Sequence, residues 1–177
     1  MKLSDVDPLE MARQLTLMES HLYQKIRPIE CLQRSRDQKG DVSDNISLVI
    51  QFANKIANWV AETVLAKDDS RRRASAVKNF IAIADVGPHP HQLPCCSSQS
   101  SVQRCKGLHN FPSMIAIVAG LNTTPIRRLK RTWEQVPQRF MTMLSQCETM
   151  MNTNKNFGNY RHKLSTIVAP CVPFIGE

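Results

Sequence analysis

The chain has 177 residues, 42% of them apolar and 21% charged, which suits a single globular domain with one core. No apolar run approaches the roughly 20 residues that cross a bilayer, and the opening "MKLSDVDPLEMARQ" lacks a signal peptide's apolar stretch. A cytoplasmic chain whose six cysteines are thiols is therefore expected. Lys and Arg (23) exceed Asp and Glu (15) by 8, which favours an acidic partner: a protein, an anionic membrane surface or a nucleic acid.

"DPLEMARQLTLMESHLYQKI" opens with Asp7 as an N-cap, Pro8 at the first helical position and Glu10 two residues on. Leu15, Met18, Leu22 and Ile26 follow at helical spacing and predict an apolar face. The clearest helix is "NISLVIQFANKIANWVAETVLAK". There Ile46, Val49, Ile50, Ala53, Ile56, Ala57, Val60 and Val64 form one stripe. A third helix near 70–85 sets Ala74, Val77, Phe80, Ile81 and Ala84 against Arg71, Arg72 and Arg73.

A fourth begins at Asn110-Phe-Pro and runs through "SMIAIVAGL". "TTPIRRLKRTW" repeats the cap-plus-proline start with Thr124 before Pro125, its Leu129 and Trp133 directed at the core and its cations outward. "PQRFMTMLSQCETMM" and "YRHKLSTIV" complete the set. No segment alternates with period two, so the fold class is all-α.

Residues 86–103 contain two Pro-His steps, a Cys-Cys pair and a Ser/Gln tract, without one Asp, Glu, Lys or Arg. His89, His91, Cys95, Cys96 and Cys105 have the ligand chemistry for zinc, but their spacing matches no standard zinc motif. A genuine surface loop is a second reading, since long polar insertions cost little closure entropy. The favoured reading is a retained intron: the segment is a whole number of codons, begins with Val (GT) and ends with Gln (CAG).

No bond-making site emerges: glycine-rich phosphate loop, HExxH and serine elbow are all missing. His21, His109 and His162 stand alone and read as structural or surface residues. Aromatics are 6% and lie mostly on apolar stripes, so nucleic-acid binding is not expected. No cofactor or metal is called for.

"LEMARQLTLMESHLYQKIRPIECL", "NISLVIQFANKIANWVAETVL", "HNFPSMIAIVAGLNTTPIRRLKRTWEQVP", "NFGNYRHKL" and "APCVPFIG" together resemble, in order, a Ras-type guanine-nucleotide exchange factor catalytic domain. The phrasing is most similar to fungal Ras activators, and it covers nearly all of the chain outside 86–103. The resemblance implies a multi-helix bundle that grips a Ras-family small GTPase and stabilises its nucleotide-free form. It carries GTPase contacts onto Ile50, Gln51 and Asn54, onto Ile115 as an apolar pocket wall, and onto Asn122 as a polar partner. The competing roles are core packing for Ile50 and Ile115, and a left-handed helix C-cap for Asn122. A non-catalytic GTPase-binding or scaffold module is the alternative function.

Arg36 stands where many members have Trp. The family continues past "PCVPFIG" with a helical hairpin that displaces the GTPase's first switch, whereas this chain stops at Glu177. Residues 1–177 are thus expected to be a C-terminally incomplete domain, inactive alone, with the stripe beginning at Ile46 left uncovered. Recruitment to membranes is a further expectation from the basic surface.

Overall fold

The computed structural model describes residues 7–36, 44–85, 108–167 and 170–175. The whole of segment 86–103, with its zinc, loop and intron readings, lies outside them. The described residues form nine helices: α1 (Pro8–Tyr23), α2 (Pro28–Arg36), α3 (Asn45–Leu65), α4 (Ser70–Asp85), α5 (Phe111–Leu121), α6 (Thr124–Arg127), α7 (Lys130–Trp133), α8 (Gln138–Met150) and α9 (Asn154–Thr166). One isolated parallel bridge joins Asn110 to Val172. The fold is all-α.

Helix α5 is the axis of the bundle. Nine of its eleven residues are buried, from Phe111 to Leu121, which marks a helix enclosed on nearly every side. It packs most extensively on α3, then on α4, α8 and α1. Ile46, Val49, Ile56, Val60 and Val64 of α3 are buried, as the apolar stripe predicts. The stripe at Ile46 is therefore covered by the described helices, contrary to expectation; Ile46 is 3% exposed. Trp59 meets Phe80 of α4 edge-on with centroids 4.9 Å apart.

Three local expectations need correction. Helix α1 buries Ala12, Leu15 and Glu19, leaving Met18 51% exposed, because its inner face is rotated toward polar partners on α5. The proline-started helix has Thr123, one residue earlier, at its N-cap position, without a side-chain cap hydrogen bond; the Thr123 hydroxyl donates instead to Gly120 O at 2.8 Å. Its run breaks after Arg127 and resumes at Lys130 as α7. Finally, α9 starts before Tyr160, with Lys155, Asn156 and Phe157 in the left-handed region (φ 54, 53 and 55), a conformation that apolar periodicity does not encode.

The phrase "APCVPFIG" ties the fold's end to its centre. Phe111 N donates to Val172 O (3.2 Å) and Val172 N to His109 O (3.1 Å). Phe174 N donates to the Tyr160 hydroxyl (2.8 Å), and Tyr160 packs edge-on against Phe111 at 4.9 Å. Burial, countered in part by the Phe174 backbone, holds the Tyr160 phenol above its usual range.

Candidate GTPase-binding face

Two helices carry the five candidate residues, and both are fixed at their ends. At the start of α3, Asp44 caps the helix by accepting from Ser47 N at 2.6 Å. That hydrogen bond, with Arg34 at 3.5 Å, keeps the Asp44 carboxyl below its usual range. Glu30 of α2 is 3% exposed and accepts from Asn45 N (3.1 Å), Asn45 Nδ2 (2.8 Å) and Arg27 Nε (3.0 Å). Burial works to raise its pKa, but Arg27 and Asn45 outweigh it and keep the carboxyl ionised.

Asn110 caps α5 by accepting from Ser113 N at 3.2 Å, while its Nδ2 donates to Ser113 Oγ (3.0 Å) and to Thr16 Oγ1 of α1 (3.2 Å). Ser113 Oγ in turn donates to Glu19 Oε1 at 3.4 Å. The other Glu19 oxygen is buried with no partner among the described residues, and burial pushes the carboxyl up to about 7. Next to this cluster, His109 holds a positive φ of 39, and burial and Lys163 both lower its pKa.

The far end of α5 is set by a close approach. A Cβ on Gly120 would lie 2.6 Å from Ala57 O and 2.9 Å from Val60 Cβ of α3, so only glycine lets the two helices cross there. Asn122 follows two residues later as the α5 C-cap. It is right-handed (φ −85, ψ 0) rather than left-handed, so tolerance of positive φ does not explain an asparagine here. Its side chain is exposed and has no hydrogen-bond partner among the described residues.

Gln51 and Asn54 are likewise exposed and unpartnered on α3 among the described residues, and Asn58 continues the same stripe one turn on. Asn58 was not named from the sequence and lies at the i, i+3, i+7 spacing of polar residues from Gln51. Ile50 and Ile115 are both half-buried, but only Ile115 packs against the main core. Core packing thus accounts for Ile115 better than for Ile50. The structure places the five residues on two helices in direct contact, and all five retain accessible surface.

Among the described residues no three His, Cys, Asp or Glu side chains cluster as a metal site, and no helix is long and apolar enough to cross a membrane. Cys147 is buried, with its thiol pushed up to about 12 by burial and by the nearby Asp85 and Glu148 carboxylates. It is inert, not a nucleophile.

The sequence profile of the RasGEF domain matches residues 10–177. The chain belongs to the RasGEF family. It is 35% identical over 98% of its length to "Ras guanine nucleotide exchange factor Y" of Dictyostelium discoideum, covering 10% of that protein. Two fungal proteins named "Cell division control protein 25" are also 35% identical over 99% of this RasGEF chain. One is from Candida albicans (12% of that protein covered) and one from Saccharomyces cerevisiae (10% covered). The chain therefore spans about a tenth of the length of these curated relatives.

Proposed function

We propose that the chain forms part of a guanine-nucleotide exchange factor for a Ras-family small GTPase, with no bond-making chemistry of its own. The observation that carries this reading is the RasGEF match over residues 10–177. The α3–α5 face supports it with exposed amides at Gln51, Asn54 and Asn122 that have no partner among the described residues. Apolar Ile50 and Ile115 and these amides can grip a GTPase switch region through combined burial and hydrogen bonding. Exchange then requires tighter binding to the empty GTPase than to the loaded one, since equal affinity for both shifts nothing. Magnesium and nucleotide belong to the GTPase.

Residues 1–177 taken alone are expected to release little nucleotide, because the α3–α5 contacts address one switch only. The net charge of +8 further supports approach to an anionic membrane surface. The test is release of fluorescent GDP from Ras-family GTPases by a longer form of the protein that includes these residues. Acceleration is expected, with Asn54→Ala and Asn122→Ala each lowering it about tenfold (about 1.4 kcal/mol) at unchanged thermal stability. No acceleration with any Ras-family GTPase would leave the non-catalytic binding module in its place.

A further inference from the structure

Two basic runs far apart in sequence, 71–73 and 127–131, are brought together by helices that touch. Gln135 Nε2 donates both to Ser70 Oγ in the first turn of α4 (2.8 Å) and to Arg131 O in α7 (3.0 Å), so α7 lies beside the start of α4. Arg71, Arg72, Arg128, Lys130 and Arg131 are all exposed there, and none has an ion pair among the described residues. Arg127 is not part of this group, since it pairs with Glu148 and lies over the Trp133 ring at 5.3 Å.

Local stability does not account for these cations. Arg71 and Arg72 occupy the N-terminal turn of α4, where the helix dipole disfavours positive charge, and that turn holds no acid. Asp69 is occupied as a cap, accepting from Arg71 N and Arg72 N at 3.1 and 3.4 Å; Asp68 and Glu134 are the other nearby carboxylates. Leu65, the last residue of α3, is 44% exposed.

We propose that Arg71, Arg72, Arg128, Lys130 and Arg131 form a docking surface for anionic lipid headgroups, which localises the membrane approach proposed above. Uncommitted cations on long side chains suit a broad charged sheet of headgroups. Nothing in this surface requires the GTPase.

Vesicle flotation of the 177-residue chain tests the proposal, and floating material cannot be mistaken for aggregate. Vesicles of about one-third phosphatidylserine should carry the chain up at low salt, whereas pure phosphatidylcholine or high salt should not. Arg71→Glu with Arg72→Glu, and separately Arg128→Glu with Arg131→Glu, should each lower recovery about tenfold. Lys25→Glu with Arg161→Glu, exposed cations outside α4 and α7, should change it little. A parent chain that does not float with anionic vesicles would refute the membrane reading itself. Equal flotation of parent and patch variants, or equal loss in the control, would refute only the location. Patch variants that float normally but no longer bind an acidic polypeptide would reassign the surface to a protein partner. No GTPase is present in the assay, so the exchange reading stands or falls separately.

Discussion

Helix α5 has two seams of opposite character. Against α3 the contact is dry and close, with Gly120 backed onto Ala57 O and apolar side chains on both sides. Against α1 it is polar, a buried chain of hydrogen bonds from Asn110 and Thr16 through Ser113 to the half-satisfied Glu19. The first seam fixes position by shape, whose cost of violation is steric and independent of pH. The second fixes it by hydrogen bonds around a carboxyl, so its contribution depends on protons. The candidate binding residues ride on the first.

The largest effect should come from breaking the dry seam. Gly120→Val places a branched side chain against the α3 backbone, and a loss of about 3 kcal/mol is expected in urea unfolding, at any pH between 5 and 8. A pH-independent loss under 1 kcal/mol would mean the helices separate easily.

The polar seam should respond with the opposite dependence. With the Glu19 carboxyl raised from 4.5 to about 7, both folded and unfolded states are protonated below pH 4.5 and no penalty applies. As pH rises from 4.5 to 7 the unfolded chain ionises first, and stability falls by at most about 3 kcal/mol in total, staying low above 7. Glu19→Gln should therefore gain about 2 kcal/mol at pH 8 and nothing at pH 4.5. Denaturant midpoints across that range decide it; a gain that does not vary with pH would exclude ionisation as the cause.

Smaller changes sharpen the contrast within the binding face. Ile115→Ala should cost about 2 kcal/mol because the side chain packs on the core, whereas Ile50→Ala should cost less than about 1 kcal/mol. Equal losses in calorimetry would make Ile50 a core residue as well. Asp44→Ala removes the α3 cap and should cost about 1 kcal/mol.

The dry seam was largely legible in the sequence. The α3 stripe and the start of α5 at Asn110-Phe-Pro are local patterns, each decided within one or two helical turns. The polar seam was not legible, because the partner that makes Glu19 an inward residue is Ser113, ninety-four positions away. A glutamate at that spacing reads as the solvent side of α1, and Met18 as its core side, until α5 is in place. The left-handed entry to α9 was hidden for another reason: Asn156 tolerates that conformation, but Lys155 and Phe157 on either side of it do not mark such a turn. The five site residues were named through family resemblance alone, since an exposed amide on a helix looks the same whether it meets water or a partner.

The Asn110–Val172 bridge has a consequence for how the domain comes apart. By pairing the first residue before α5 with the last strand-like phrase, it closes α5 through α9 into a ring fastened by the N–H groups of Phe111 and Val172. Opening that latch frees both ends of the ring at once, since Phe111 also carries the Tyr160 contact that anchors α9. The C-terminal phrase therefore acts as a clasp on the helix that bears Ile115 and Asn122, and fraying of the tail is transmitted to the start of that helix without any change in α3.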